Sequence, residues 1–542
     1  MASGSRNGAR DTMHNKSDIA ETSKAAISEA YSDEAFYSHF KTVRNKLRQF
    51  DTVSVIGACL KYLHAPYKGQ LDYIERHPWL VLLLIKWILI DEQAFFPRRR
   101  APAERQVIDL LNLMRDLGNH RTARMPSEYD DVRLFLRAMA YQQISLYQRK
   151  LSFSAIARQL LYFGDSPADG YIRRTFAELT GIEIHRFLEL SQVLITRFYD
   201  GREKVVTEHW FSTLLNGSYS EHEITSFLNT LAKSLKQARE AFLDRDRDNI
   251  TKGRKARSAS EYWEQSPFVN FPLLKSGFNY VCVDHQVLFA CLDNYVYNRL
   301  RANNAKLFMA HFGPLFERYV EKAIADTGLP FILEAEIKQV LGEESTAIDF
   351  LIADDDSNIF VDAKAAEMSY QGKSTHLSTE LARSLETSAL KAIKQAHAVL
   401  ATLPQSEIPN LVMRQRGKNY LVTVTYSELY VGSGRTLAAC IGDEKIRTLL
   451  SEMPGKLRIP LENMYFMTIQ EFELLAESVR TKQITFTKAL EHAISNDADP
   501  QTAKFEFGQH LASADIALAE PAYLVSKAQS ELEALANRLR PI

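Results

Sequence analysis

Asp349, Asp362 and Lys364 are residue types that can together hold a metal ion and act on a phosphate ester. Two carboxylates that face each other repel, and burying such a pair is unfavourable unless a cation neutralises it. Mg²⁺ suits such a place, because it takes oxygen ligands and usually holds one or two carboxylates with waters and a phosphate. Lys364 follows Asp362 by two residues, so both point to one side of a strand, where the ammonium could orient a water.

A β-hairpin is expected to bring these side chains together. Two β-rich runs, Ile348–Ala353 and Asn358–Lys364, flank the turn-forming residues Asp354–Ser357, which is a hairpin signal. That turn places Asp349 opposite Asp362, with Cβ atoms about 4.5–5.5 Å apart. The other face of the hairpin carries four apolar side chains: Phe350, Ile352, Ile359 and Val361. An ordinary surface hairpin is the alternative interpretation.

Asp349 followed by the triplet Asp362-Ala363-Lys364 resembles the active-site signature of the PD-(D/E)XK, or restriction-endonuclease-like, nuclease superfamily. Ile348 stands where that signature usually has a proline. The resemblance implies a nuclease dependent on Mg²⁺ or Mn²⁺, with the ion held by Asp349, Asp362 and the carbonyl of Ala363. The ion would polarise the phosphate and lower the pKa of a water that Lys364 positions for in-line attack.

The resemblance also implies two residues on helices. A helical glutamate before the first strand often completes the acidic cluster in this superfamily, and Glu317 in the predicted helix Ala305–Thr327 matches that position. Some branches place a glutamine or lysine on the helix after the catalytic strand. Gln395, in the predicted helix Thr379–Leu403, is the candidate here, and an exposed polar stripe is the alternative.

Two lysines are candidates for contact with a nucleic-acid backbone. Lys391 lies one turn before Gln395, and Lys373 lies in the loop that follows the catalytic strand. Such contacts go to phosphates and do not by themselves read sequence. The predicted partner is therefore nucleic acid, either DNA or RNA.

The order of the predicted elements around the hairpin is that of a mixed-sheet domain. The hairpin is flanked by helix Ala305–Thr327, strand Phe331–Val340, helix Thr379–Leu403, and strands Asn419–Val431 and Tyr465–Ile469. Helices on the faces of a mixed sheet are the expected layering, and helix, three strands, helix and strand is the core order that the resemblance implies.

The predicted fold class is α+β multidomain, with a large all-α N-terminal region before a mixed-sheet α/β restriction-endonuclease-like domain. The predicted segments are a flexible tail (1–16), a helical regulatory or sensor region (17–243), a charged linker and bridging segment (244–304), the nuclease-like domain (305–480) and a helical C-terminal extension (481–542).

Composition narrows the class of protein. The 542 residues are 46% hydrophobic and 25% charged, which is typical of folded domains and excludes a disordered or fibrous chain. The net charge of −1 means that nucleic acid would have to be held by local basic patches. The apolar run Trp79–Ile90 is too short to span a membrane and contains Lys86, so a buried helix is expected. Scattered cysteines and a polar N-terminus favour a cytoplasmic protein.

A large sensor-like region joined to a short nuclease core, without an ATPase motor or methyltransferase motif, indicates a regulated bacterial anti-phage defence effector. A phage or host protein would activate it, and the oligomeric state is left open. Two other functions also stay open. One is a catalytically silent nuclease-like scaffold that binds nucleic acid or protein. The other is a HEPN-type ribonuclease, whose Arg-x4–6-His signature Arg115 and His120 resemble.

Overall fold

The computed structural model describes residues 33–122, 132–147, 153–164, 167, 170–251, 259–403 and 412–539. The predicted tail 1–16 lies outside them. The chain divides into two compact units, one formed by residues 1–136 and 235–266 and the other by residues 137–234 and 267–542. The boundaries of these units differ from those of the predicted segments. The roles of those segments stay a prediction.

Helices dominate the described chain up to residue 251. In chain order the elements are α1 (Asp33–Leu47), α2 (Thr52–His64), α3 (Gln70–Glu75), α4 (Pro78–Ile90), α5 (Glu104–Thr122), α6 (Val132–Tyr147), α7 (Ser154–Phe163), α8 (Tyr171–Thr180), α9 (Ile184–Phe198), β1 (Val205–Thr207), α10 (Glu208–Leu215), α11 (Glu221–Leu231), β2 (Ala232–Ser234) and α12 (Leu235–Thr251).

The remainder alternates helices with strands. Its elements are β3 (Leu273–Ser276), β4 (Asn279–Cys282), α13 (His285–Leu292), α14 (Tyr295–Asn303), α15 (Ala305–Asp326), β5 (Phe331–Leu333), α16 (Glu334–Leu341), β6 (Phe350–Asp354), β7 (Ser357–Lys364), α17 (Tyr370–Ser374), α18 (Ser378–Leu385), α19 (Ala389–Leu400), β8 (Lys418–Thr425), α20 (Gly434–Ile441), α21 (Asp443–Ser451), β9 (Met464–Thr468), α22 (Ile469–Arg480), α23 (Phe486–Asp497), α24 (Phe507–Ala512) and α25 (Ala522–Leu539).

The most apolar run of the chain forms a buried helix, as predicted. Helix α4 is buried along nearly its whole length, and α2 and α12 pack against it. The one charge within it, Lys86, is paired with Glu261 at 3.0 Å, to which the indole of Trp87 also donates a hydrogen bond. No helix among the described residues has the length and apolar character needed to cross a bilayer.

The all-α description of the N-terminal region is wrong in one respect. Strands β1 and β2 lie within it and join β3 and β4 in a four-stranded sheet of order β1-β4-β3-β2. Only β2 and β3 are parallel, and the other pairs are antiparallel. Each of the two early strands has three residues, which is too short to show the two-residue alternation by which a strand is recognised.

The predicted charged linker is also more ordered than expected. Helix α12 continues to Thr251, well past the start of the linker at residue 244. Its alternating acids and bases include Asp244 and Arg247, which form an ion pair three residues apart. Opposite charges at that spacing support a helix, so this charge pattern is helical rather than a sign of an open loop.

A five-stranded mixed sheet forms the centre of the second unit. Its order is β5-β6-β7-β8-β9, with β5, β6 and β7 antiparallel and β7, β8 and β9 parallel. The predicted hairpin register is confirmed, because Ala353 pairs with Asn358. The turn is tighter than predicted, since Asp354 also pairs with Ser357 and only two residues remain between the strands.

Two predicted elements around the hairpin are partly wrong. The expected strand Phe331–Val340 ends at Leu333 and continues as helix α16, which an ion pair between Glu334 and Lys338 supports. The expected helix Thr379–Leu403 is two helices, α18 and α19, and Ser388 between them has a non-helical backbone. Serine and threonine bond to nearby backbone groups and so disfavour continuation of a helix.

Helix α15, predicted within one residue, packs against β7. The apolar face of the hairpin, including Ile359 and Val361, belongs to the same core as Phe312 and Phe316 of α15. A buried network fixes this helix further. Tyr319 of α15 donates a hydrogen bond to Glu473 at 2.6 Å, and Arg158 of α7 forms two hydrogen bonds with the same carboxylate, at 2.7 and 2.6 Å.

Candidate metal centre

The hairpin places two acids at one end of the sheet. Strand β6 begins with Phe350, which pairs with Val361, so Asp349 comes directly before the ladder and Asp362 directly after the partner residue. The Asp349 Oδ2 atom accepts a hydrogen bond of 2.6 Å from the backbone N–H of Ala363. The predicted meeting of the two carboxylates is therefore present in the structure.

Asp362 is an unusual carboxylate for a protein interior. It is 0% exposed, and no backbone N–H, amide or hydroxyl group among the described residues donates a hydrogen bond to its oxygens. Its one close cation is the Lys364 ammonium, with Nζ 2.6 Å from Oδ2. Burial raises the pKa of Asp362, and the charge of Lys364 opposes that rise. A buried carboxylate with so few hydrogen-bond donors around it favours a bound cation.

The environment of Asp349 strongly disfavours its charged form. Burial, followed by the negative charge of Asp362, raises the pKa of Asp349 to about 8, while Lys364 and the Ala363 N–H act in the opposite direction. Asp349 therefore holds a proton at neutral pH in the metal-free protein. A bound divalent cation would displace that proton, because ligating carboxylates must be deprotonated.

Two glutamates extend the acidic centre. One carboxylate oxygen from each of Glu317, Glu334 and Asp349 lies within 4.8 Å of the others. Burial, then the charge of Glu334, raises the pKa of Glu317, and Asp362 adds to that rise while Lys364 opposes it. The predicted glutamate of α15 thus lies beside the hairpin acids, in a half-buried position.

Glu334 was not predicted from the sequence. The sequence predicts strand Phe331–Val340, which contains Glu334 but gives it no part in the site. The four-residue spacing of Glu334 and Lys338 is the signal that could have revealed the helix. In the structure Glu334 is the first residue of α16 and pairs with Lys338 at 2.9 Å.

Gln395, which the resemblance places beside the scissile phosphate, contacts the lysine of the motif. The Gln395 Oε1 atom accepts a hydrogen bond of 2.9 Å from Lys364 Nζ. Its Nε2 atom donates to the backbone carbonyl of Ala347, two residues before Asp349. Helix α19 is thus tied to both sides of the hairpin, and the buried amide fixes the position of the ammonium group.

The two lysines predicted to contact nucleic acid lie in different surroundings. Lys391 is exposed on α19 and lies near enough to the acidic centre for its charge to lower the pKa of Asp362. Lys373 is instead paired with Glu367 at 2.7 Å, and Arg301 pairs with the same carboxylate at 2.6 Å. The first lysine is available to an anion at the centre, whereas the second is held in an internal ion pair.

The residues of the alternative ribonuclease signature fall elsewhere in the chain. Arg115 lies in α5, in the compact unit formed by residues 1–136 and 235–266. The side chain of His120 lies outside the described residues. That signature stays a prediction.

The donor set fits a hard divalent cation. Three carboxylates form one cluster of oxygens (Glu317, Glu334 and Asp349), Asp362 lies beside Asp349, and the carbonyl of Ala363 follows Asp362 in the chain. Mg²⁺ and Mn²⁺ take such oxygen ligands. No imidazole or thiolate belongs to this group among the described residues, so the centre is not of the kind that selects zinc.

Comparison with known proteins adds no assignment to this centre. No protein-family model, curated protein or solved structure gives a significant match to the chain. What the centre can do therefore follows from the types and positions of its own residues.

The raised pKa of Asp349 predicts an unusual pH dependence of stability in metal-free protein. Asp349 binds its proton more tightly in the folded than in the unfolded chain, where the pKa is about 3.9. The stabilisation from that proton is therefore present below about pH 4 and is lost as the pH rises towards 8. Asp349→Asn should leave the free energy of unfolding little changed at pH 4.5 and raise it at pH 8 by several kcal/mol, since one pKa unit corresponds to about 1.4 kcal/mol.

Urea unfolding in the presence of a chelator measures this difference at both pH values. Asp355→Asn is the matched control, because Asp355 is exposed at the tip of the same hairpin and should show no such pH-dependent gain. An Asp349→Asn protein that is less stable than the wild type at pH 8 without metal would contradict the assignment.

Proposed function

We propose that the chain is a metal-dependent nuclease that hydrolyses phosphodiester bonds, with a restriction-endonuclease-like catalytic domain. The observation that carries this proposal is the convergence of Glu317, Asp349 and Asp362, from three separate segments, beside the ammonium of Lys364. The element order also supports it, because α15 precedes the sheet and α19 lies between β7 and β8, as the resemblance implies.

Mg²⁺ or Mn²⁺ would be held by Asp349, Asp362, the Ala363 carbonyl and Glu317. When bound, such an ion polarises a phosphate and lowers the pKa of a water. The roles of the protein groups follow from their contacts. Asp349 would release its proton to solvent on binding the ion and offer its oxygens as ligands, and Asp362 would supply oxygens to which no backbone N–H, amide or hydroxyl group donates.

Lys364 is placed to act on the water and the phosphate. An ammonium has three protons to donate, and two contacts of Lys364 are with Asp362 and Gln395. The remaining proton can orient the attacking water or stabilise negative charge on a phosphate oxygen. Gln395 is a positioning residue in this scheme, since it holds the amine and contacts no reacting atom.

The proposed partner is DNA or RNA, held through its backbone. With a net charge of −1, the chain has no general attraction for a polyanion, so local cations must supply the contact. Lys391 is the candidate at the metal centre. The role of a regulated bacterial anti-phage effector, activated by a phage or host protein, rests on the presence of a long helical region before the catalytic segment.

Cleavage of labelled nucleic acid tests the proposed activity. The purified chain with Mg²⁺ or Mn²⁺ is expected to cleave at least one of duplex DNA, single-stranded DNA and RNA. Asp362→Asn and Lys364→Met should lower the rate at least 10³-fold, because each removes a group that acts on the reacting phosphate. Asp356→Asn, on the exposed hairpin turn, is the control that should cleave normally.

Near-normal cleavage by Asp362→Asn would rule out this catalytic centre. If the wild type binds nucleic acid and cleaves none of the three substrates, the silent scaffold is the better description.

Substitution of Lys391 tests its contact with the backbone. Lys391→Gln should weaken binding of labelled nucleic acid about threefold or more in low salt. It should also reduce the slope of log K against log salt concentration by about one, because one phosphate contact is lost. Fluorescence anisotropy at several salt concentrations measures both quantities. Lys488→Gln, exposed on α23, is the control, and an unchanged slope in Lys391→Gln would exclude the contact.

Expression in bacteria tests the proposed effector role. A nuclease released from control by overexpression or by its trigger should slow growth, and Lys364→Met should abolish that toxicity while the protein accumulates to the same level. Growth curves with matched immunoblots measure this. Harmless expression in bacteria, together with trigger-independent cleavage of nucleic acid by the purified protein, would argue against a regulated effector.

A further inference from the structure

A positively charged loop lies outside the acidic centre, in the compact unit formed by residues 1–136 and 235–266. It comprises residues 93–103, between α4 and α5, and contains three consecutive arginines at 98–100 and no acidic residue. This segment is called the arginine loop below. In a chain with a net charge of −1, such a segment is a local attraction for a polyanion.

The acidic residues that flank the arginine loop are paired with cations from other segments. Before the loop, Asp91 and Glu92 contact Arg48 at 3.0 and 4.0 Å. After it, Glu104 contacts Lys61 at 4.0 Å. These acids therefore balance charges outside the loop, and the positive charge of the loop itself is left for a ligand.

The three arginines have different surroundings. The Arg98 side chain is exposed. Arg99 donates a hydrogen bond of 2.7 Å to the amide oxygen of Gln93, and the Arg100 guanidinium lies 5.4 Å from the centre of the buried Phe50 ring. Within the described ranges none of the three forms an ion pair with an acid. Two cations are thus held in place and a third extends into solvent, and all three keep their charge for an anion.

The arginine loop also exposes an aromatic ring. Phe96 is 62% exposed, and the Arg99 guanidinium lies over its ring, 5.5 Å from the centre. Proteins that bind single strands combine cations along the backbone with aromatic rings on which bases stack. Every base has a flat face that can stack in this way. Phe96 therefore offers a surface for an unpaired base, with arginines of the same loop beside it for the flanking phosphates.

The backbone of the loop is held in a conformation that it would not adopt by itself. Phe95 and Arg98 have positive φ angles of 63° and 66°, which are uncommon for residues other than glycine and persist only where the surroundings hold them. The Phe95 N–H donates to the Thr52 hydroxyl at 3.1 Å, and the Arg100 carbonyl accepts from the Asp51 N–H at 2.9 Å. A loop fixed in this way loses little conformational freedom when a ligand binds.

We propose that the arginine loop binds single-stranded nucleic acid, with an unpaired base stacked on Phe96 and phosphates held by Arg98 and Arg100. The bases of a duplex are stacked on one another, so the ring contact favours single strands. This inference rests on the proposed function for the class of partner. It adds a contact in a different compact unit from the metal centre and a preference for unpaired strands.

Another exposed ring in the described chain shows the contrast. Phe278, in the turn between β3 and β4, is 91% exposed. The nearest basic residue along the chain, Lys275, donates a hydrogen bond to Asn229 at 2.9 Å and lies over the Tyr280 ring at 5.0 Å. Phe278 thus has an exposed ring without a neighbouring group of arginines, which makes it a matched control.

Fluorescence anisotropy of the full chain, in the presence of a chelator that prevents cleavage, tests the ring contact. The probes are a labelled oligothymidylate and a labelled DNA duplex. Phe96→Ala should weaken binding of the oligothymidylate about fivefold or more, because one stacked base is lost, and should leave binding of the duplex unchanged. Phe278→Ala should bind both probes as the wild type does. If Phe96→Ala is less stable in urea, Phe96→Leu replaces it, since leucine keeps the bulk without a flat aromatic face.

The salt dependence of the same binding tests the phosphate contacts. Arg98→Gln should lower the slope of log K against log salt concentration for the oligothymidylate by about 0.7, the value for one phosphate on a single strand. Arg202→Gln is the control, because Arg202 is also exposed but pairs with Asp200 at 3.3 Å, and it should leave the slope unchanged.

Unchanged binding of the oligothymidylate by Phe96→Ala, an equal loss for the duplex, or an unchanged slope in Arg98→Gln would overturn the proposal. Cleavage assays with Mg²⁺ separate it from the proposed activity. Cleavage by the wild type with normal binding by both variants overturns only the loop contact. Weakened single-strand binding by the variants, with no cleavage by the wild type, supports the loop contact and overturns the nuclease.

Discussion

The buried carboxylate of Asp362 is the constraint around which the end of the five-stranded sheet is arranged. Removing a charge from water is strongly unfavourable unless other groups replace the lost solvation. Here the replacement is incomplete, because the Lys364 ammonium is the one close cation and no backbone N–H, amide or hydroxyl group among the described residues donates to either oxygen. Asp349, forced against the same charge, holds a proton instead. The metal-free centre is therefore held in an arrangement that favours entry of a cation.

The surrounding elements serve to hold that arrangement in place. The apolar face of the hairpin packs into the core shared with α15, which fixes Asp349 and Asp362 at the open end of the two strands. On the other side the amide of Gln395 links Lys364 to the chain before β6. The polar centre is thus supported by a hydrophobic core on one side and a buried hydrogen-bonding group on the other. Such support restricts the side chains to few conformations, as a functional site requires.

The hairpin could be predicted because its signals are local in the sequence. Contacts between residues far apart in the chain leave no such local signal. Alternating apolar residues and a polar turn determine the register of β6 and β7, and the register alone brings Asp349 to Asp362. The contact between Lys364 and Gln395 spans 31 residues and has no signal in the sequence, where the family resemblance offers Gln395 only as a neighbour of the phosphate. The sequence does not single out Glu334, because the apolar residues around it fit the two-residue period of a strand as well as the period of a helix. Strands of three residues, such as β1 and β2, are likewise defined by their partners rather than by their own sequence.

The network of Arg158, Tyr319 and Glu473 has a consequence for how the segment that contains the five-stranded sheet can be isolated. Arg158 lies in α7, far upstream of the segment 305–480, yet it neutralises a buried carboxylate that also anchors the helix bearing Glu317. Excising residues 305–480 would strand Glu473 without its cation, a defect of roughly 3–5 kcal/mol for a broken buried pair. A fragment that keeps this ion pair must therefore begin before α7, and this helix helps to stabilise the sheet that follows it in the chain.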